Sequence, residues 1–131
     1  YAKPGQNQSR SVRVEASFFA SNPDDSSVFQ IRLAAFSQEP QEVRPIWNNQ
    51  EVLFDQVLQH VGRNQITKPG QKPGWHRLNA SIEIPPGTRS LVISLGAGMV
   101  DPNGDKSNHY LDDVRVSLVD SPQAIYAENA H

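Results

Sequence analysis

The residues with the clearest chemical potential lie near the end of the chain, where two adjacent carboxylates, Asp112 and Asp113, precede an apolar run. From Val114 to Leu118 the apolar side chains occupy every second position, a pattern typical of a half-buried β-strand. Aspartate is depleted in strands because its short side chain competes with the backbone for hydrogen bonds. The pair therefore needs a specific explanation, and one explanation is that both carboxylates accept backbone N–H groups where the strand begins.

The other polar residues do not form a signature of catalysis. The chain has no cysteine, which removes disulfides, thiolate metal ligands and cysteine nucleophiles from consideration. It contains no Gly-x-Ser-x-Gly, no His-Glu-x-x-His and no phosphate-binding loop, and its 4 histidines are scattered singly. We therefore expect a chain without catalytic activity of its own.

The length and charge of the chain limit the number of domains and the classes of partner that it can bind. A chain of 131 residues is the size of one domain and can bury a single core without disulfides or metals. The formal net charge is −2, and the sequence contains no cluster of lysines and arginines of the kind that binds nucleic acid. The apolar runs fall far short of the roughly 20 residues that a membrane helix needs, so we expect no membrane insertion.

Alternation of apolar and polar residues predicts the secondary structure. Clusters of turn-forming residues separate the alternating runs, and 10 prolines with 8 glycines supply many of them. This pattern predicts an all-β fold, an antiparallel β-sandwich of jelly-roll type with little helix. The first two runs are joined either as a hairpin or as a crossover between sheets. The predicted strands begin near Val12, Phe29, Leu78, Leu91 and Val114.

Two segments break the alternation. Residues 37–45 are polar and contain two prolines, which places Trp47 in a polar loop. Residues 51–61 carry apolar side chains at helical spacing, with Asn49 as a candidate N-cap and Gly62 as a candidate helix stop. The second segment is either a short helix or an irregular strand with a bulge.

The second half of the chain resembles a known family. A Gly-Trp pair opens a strand, a Pro-Gly turn follows, and an Asp-Asp-Val strand ends the domain, as in the galactose-binding-like jelly-roll modules attached to glycoside hydrolases and polysaccharide lyases. The resemblance spans residues 12–119 in strand order, and its motifs lie in the last 50 or so residues. An early strand of the family is missing here or compressed into residues 1–10. The motifs are Gly74-Trp75, Pro85-Pro86-Gly87 and Tyr110-Leu111-Asp112-Asp113-Val114.

This resemblance implies a structural calcium ion. Modules of the family often hold calcium with an acidic residue of the Asp-Asp-Val strand, a role that would fall on Asp112 or Asp113. Calcium takes six to eight oxygen ligands, so further residues must contribute. The alternatives are ordinary turn chemistry upstream and backbone hydrogen bonds at the strand entry. The upstream candidates are Asp101, Asn103 and Asp105.

The resemblance also implies that the chain binds a polysaccharide or oligosaccharide. Sugar recognition of this kind uses an aromatic ring that stacks on the apolar face of a pyranose, beside side chains that hydrogen-bond. Trp47 has a better claim than Trp75, because a Gly-Trp tryptophan more often packs on the sandwich edge. For each tryptophan the alternative is burial as an edge anchor. The candidate aromatic residues are Trp47, Trp75, Tyr110 and Phe19, with Asn48, Asn49, His76, Arg77 and His109 as polar neighbours.

We therefore expect residues 1–120 to form one β-sandwich module and residues 121–131 to be a tail or linker. The chain begins with tyrosine, without a signal-peptide pattern, which suggests that it is part of a longer, multidomain parent. That parent is expected to be exported, placing the module in an extracellular or periplasmic compartment. The alternative is a structural spacer or a protein-interaction sandwich domain of a cell-surface or signalling protein.

Overall fold

The computed structural model describes residues 10–21, 26–67, 74–99 and 109–120. Strands dominate these ranges, with two short helices between the second and third strands. No helix in the described ranges is long and apolar enough to cross a membrane. The elements are β1 (Arg10–Ala20), β2 (Ser27–Phe36), α1 (Pro40–Trp47), α2 (Gln50–Gln56), β3 (Val57–Ile66), β4 (Trp75–Glu83), β5 (Ser90–Met99) and β6 (His109–Asp120).

The strands form two antiparallel sheets of three strands each. Sheet A has the order β4-β1-β6, and sheet B has the order β3-β2-β5. The two central strands come first in the sequence, and each later strand adds to an edge. The described ranges therefore confirm the predicted all-β antiparallel sandwich. The join between β1 and β2 is a crossover between sheets, not a hairpin.

The core fills the space between the sheets because each strand turns alternate apolar residues inward. On β1 these residues alternate with Arg13, Glu15 and Ser17, which face outward. Phe18 and Phe29 stack across the core with ring centroids 5.1 Å apart. The buried core residues are Val12, Val14, Ala16, Phe18, Phe29, Ile31, Leu33, Ala35, Leu78, Ala80 and Ile82.

The two helices cover part of the outer face of sheet B. Val43 of α1 and Leu53 of α2 pack with Ala34 and Phe36 of β2 in a second buried cluster. The expectation of a polar loop before Trp47 was wrong, because residues 40–47 are helical. Pro40 occupies the first turn, where a proline needs no N–H partner. Glu39 and Glu42 form a reciprocal capping box around that turn.

Residues 51–61 combine both of the structures considered for them. Asn49 caps α2 as predicted, with its side chain accepting a hydrogen bond from the Glu51 N–H at 3.1 Å. The helix ends at Gln56, and Val57 begins β3. Gly62 is not a helix stop, because it lies within β3 and pairs with Arg32 of β2. Pairing with β2 stabilises the strand, so tertiary contacts override the helical spacing.

One side of the sandwich is less covered than the other. β3 and β4 contact each other across the sheets, and the inner residues of β4 are buried. On β6 the inner residues lie opposite the same β1 residues, yet they remain substantially exposed. Val116, for example, is 56% exposed, whereas its neighbour Val14 on β1 is fully buried. The exposed inner residues of β6 are Leu111, Val114, Val116 and Leu118.

Candidate functional site

Three aromatic side chains form a row across the outer face of sheet A. The register places Phe19 of β1 between Trp75 of β4 and Tyr110 of β6. Ring centroids are 5.4 Å apart for Phe19 and Trp75, and 6.1 Å apart for Phe19 and Tyr110. Trp75 is 55% exposed and Tyr110 is 51% exposed. We call these three residues the aromatic row.

The inner layer beneath the aromatic row joins sheet A to sheet B. Because strands alternate, His76 and His109, the neighbours of Trp75 and Tyr110, face inward. Both imidazoles contact the ring of Phe29, with centroids 5.7 and 6.2 Å away. The Gln65 amide donates to His76 Nδ1 at 3.1 Å, and Ser27 Oγ is hydrogen-bonded to His109 Nε2 at 2.9 Å. These contacts fix the strands that carry the row.

A network of charged side chains lies directly beside the aromatic row on the same face. Arg77 stands at its centre and donates to Ser17 Oγ at 2.8 Å, to Glu15 at 3.0 Å and to Asp113 at 3.1 Å. Arg13 also pairs with Glu15 at 2.8 Å, and Arg115 pairs with Asp113 at 3.0 Å. We call Arg13, Glu15, Arg77, Asp113 and Arg115 the ion-pair ladder.

The hydrogen bond from Arg77 holds the pKa of Glu15 below its ordinary value. Burial acts in the opposite direction, and Arg13 adds further stabilisation of the carboxylate. Because its pKa is lowered, Glu15 remains an anion to a lower pH than an ordinary glutamate does. Its carboxylate is shared by two guanidinium groups, those of Arg77 and Arg13.

A β-bulge explains the adjacent aspartates. The pairing of β1 with β6 changes register between Glu15 and Ser17, opposite Asp113. Asp113 has φ of 51°, in the left-handed region that aspartate tolerates better than most residues. Its N–H is bonded to Asp112 Oδ1 at 2.8 Å. Asp112 therefore accepts a backbone N–H at a bulge inside β6, not where the strand begins, while Asp113 joins the ion-pair ladder.

The candidate ligand residues divide between the two outer faces. Trp75 and Tyr110 lie on sheet A, whereas Trp47 and Asn48 line a groove of about 340 Å³ beside α1 on sheet B. Trp47 is half-buried, and the Arg32 guanidinium lies 4.6 Å from its ring centroid. One contiguous surface therefore cannot contain both Trp47 and Tyr110. Burial of Trp75 as an edge anchor, the alternative considered for it, was wrong.

The metal candidates are only partly described. Asp112 and Asp113 lie at the bulge, while Asp101, Asn103 and Asp105 lie outside the described residues. Within the described ranges, no group of three or more His, Asp or Glu side chains is placed to hold a metal ion. Asp113 accepts hydrogen bonds from two arginines, which leaves Asp112 as the freer carboxylate of the pair.

Some site residues were not identified from sequence. Glu15 and Ser17 looked like ordinary polar positions of an amphipathic strand, and Arg77 stood out only as a neighbour of Trp75. The signal that could have found them is the alternation itself, because Ser17 and Phe19 share one outward face of β1.

Comparison with known proteins does not identify a family. No protein-family model, no curated protein and no solved structure gives a significant match to this chain.

Proposed function

We propose that this chain is a non-catalytic carbohydrate-binding module of a larger, exported protein. The observation that carries the proposal is the aromatic row, in which Trp75 and Tyr110 are each about half exposed beside Phe19 on one sheet face. Exposed aromatic rings gathered on one sheet face are the feature that separates a sugar-binding face from a polar, structural one.

The neighbouring side chains supply the polar part of such a site. Sugar rings present apolar C–H faces to aromatic rings and hydroxyl groups to their sides, so a binding surface needs both kinds of partner. Ser17, Arg77 and Asp112 each lie two residue positions along their strands from the aromatic row. Each stacked ring should contribute on the order of 1 kcal/mol beyond area burial, so we expect modest affinity.

Substitution of Trp75 tests this proposal. In an affinity gel that contains a polysaccharide bound by the wild-type chain, retention of the Trp75→Ala variant should be lost or strongly reduced. Phe54→Ala is the matched control, because Phe54 is an aromatic residue with 60% exposure that lies on α2, away from sheet A. Equal retention of Trp75→Ala and wild type, or loss of retention with Trp47→Ala alone, would reject the aromatic row as the binding surface.

A structural calcium ion forms part of this proposal, with Asp112 as the preferred ligand. Its support is that, among the described residues, arginines pair with Asp113 and not with Asp112. A bound ion stabilises the folded state by mass action, so excess chelator should lower the melting temperature of calcium-loaded protein. An unchanged melting temperature would exclude a structural ion.

The second candidate is a protein-interaction domain. It is favoured by the aliphatic residues on the inner face of β6, from 44% to 57% exposed on an edge strand. Such a strand offers both free backbone groups and an apolar face to a partner. This candidate predicts that β6 substitutions, and not Trp75→Ala, disturb the chain's binding.

A further inference from the structure

The geometry of the aromatic row restricts the physical form of its ligand. The Phe19 ring is inclined by 41° to the Trp75 ring and by 49° to the Tyr110 ring. The surface of a crystalline polysaccharide is flat, so it cannot lie face to face with Phe19 and with either of its two neighbours at the same time. A single chain can rotate about its glycosidic bonds and follow the inclination. The row therefore suits an isolated chain better than a crystal surface.

The ion-pair ladder restricts the charge of the ligand. Each of its three guanidinium groups is already paired with Glu15 or Asp113, at distances from 2.8 to 3.1 Å. Asp112 adds one more anionic group at the bulge. Within the described part of this surface, each of the arginines Arg13, Arg77 and Arg115 therefore already has a carboxylate partner, so none of them is left unpaired to attract a uronate or sulfate group.

We infer that the aromatic row takes a single, uncharged polysaccharide chain, and that Glu15 and Asp113 determine this specificity. The inference rests on the proposed carbohydrate-binding function. The two carboxylates engage the arginines that an acidic sugar would otherwise pair with. They act as specificity-determining residues by occupying Arg77, the guanidinium closest to the row.

Removing the two carboxylate charges tests their role. In the Glu15→Gln, Asp113→Asn double variant the three arginines lose their anionic partners, while asparagine keeps the left-handed backbone at position 113 accessible. Retention on an acidic polysaccharide such as polygalacturonate should rise by roughly two- to fivefold for each guanidinium released. The gain should disappear in high salt, because exposed charges are screened.

The control is a second double variant that has the same net charge as Glu15→Gln, Asp113→Asn but removes its two carboxylates far from the ladder. Glu51→Gln with Asp55→Asn removes two exposed carboxylates from α2 on the other side of the sandwich. If the effect depends on the ladder, this control should gain little on the acidic gel. An equal gain in both double variants would show that overall charge alone is responsible, and would overturn the role assigned to Glu15 and Asp113.

Three kinds of polysaccharide test the ligand specificity of the wild-type chain: a soluble neutral glycan, an acidic polymer and a crystalline polymer. We expect retention on soluble neutral glycans, such as xylan or mannan, and little on polygalacturonate or on crystalline cellulose. Preferential binding to the acidic or the crystalline polymer would overturn the inference while leaving the proposed function intact. Failure to bind any of the panel, with Trp75→Ala indistinguishable from wild type, would reject the proposed function and the inference with it.

Discussion

At the scale of single residues, the adjacent aspartates show how one local irregularity organises a surface. A regular strand would turn Asp112 and Asp113 to opposite faces, but the bulge gives Asp113 a positive φ and brings its carboxylate to Arg77 and Arg115. Asp112 accepts the Asp113 N–H. The sequence indicated that both carboxylates accept backbone N–H groups where the strand begins. The structure shows such a bond for Asp112 only, and places it at a bulge inside β6.

The depressed pKa of Glu15 gives a prediction about pH. A carboxyl group whose pKa is lower in the folded state stabilises the fold fully above its ordinary pKa, 4.5 here. That stability is lost as the pH falls from 4.5 through the lower, folded-state pKa. Glu15→Gln should therefore melt at a lower temperature than wild type near about pH 6, and the difference should shrink towards about pH 3.

Thermal denaturation of the two proteins across this range measures the effect. Glu83→Gln provides the control, because Glu83 is an exposed acid on the neighbouring strand β4. If the gap between wild type and Glu15→Gln stays constant from neutral to acidic solution, the hydrogen bond to Arg77 does not contribute through ionisation.

At the scale of elements, helix α2 packs on sheet B through one face only. Leu53 is buried against β2, whereas its neighbour Val52 is 37% exposed. We expect Leu53→Ala to lower the free energy of unfolding by about 2–5 kcal/mol, because it leaves a cavity beneath the helix. Val52→Ala should change it by about 0.5 kcal/mol or less. Urea denaturation distinguishes the two, and similar losses would show that α2 does not anchor on sheet B through Leu53.

β1, β2, β4, β5 and β6 were predictable because alternate residues face inward and outward in a sheet, whereas β3 was not predicted as a regular strand. The helices were harder to predict because some residues in or next to them also favour another structure. Pro40 reads as a strand breaker until its place in the first turn of α1 is known, and Val57 continues a helical spacing although β2 recruits it into a sheet. The aromatic row was harder still, since Phe19, Trp75 and Tyr110 meet only through strand pairing.

At the scale of the whole molecule, the sandwich is asymmetric. Sheet A carries the aromatic row and the ion-pair ladder on its outer face, and sheet B carries the helices on its own. The proposed binding surface and the packed helices therefore lie on opposite outer faces. On the β5 and β6 side, the inner aliphatic residues of β6 remain exposed. The protein-interaction candidate requires a partner to cover these residues, whereas the carbohydrate-binding candidate does not.

Two valines that are direct cross-strand neighbours test whether that side is covered in solution. Val14 is fully buried on β1, and Val116 is 56% exposed on β6. Val14→Ala should cost about 2 kcal/mol of unfolding free energy, from lost burial and a residual cavity. Val116→Ala should cost less than about 1 kcal/mol, because more than half of its side chain already contacts water. Both values should be independent of protein concentration. A cost for Val116→Ala that approaches that of Val14→Ala and grows with protein concentration would mean that a second copy covers β6, favouring the protein-interaction candidate.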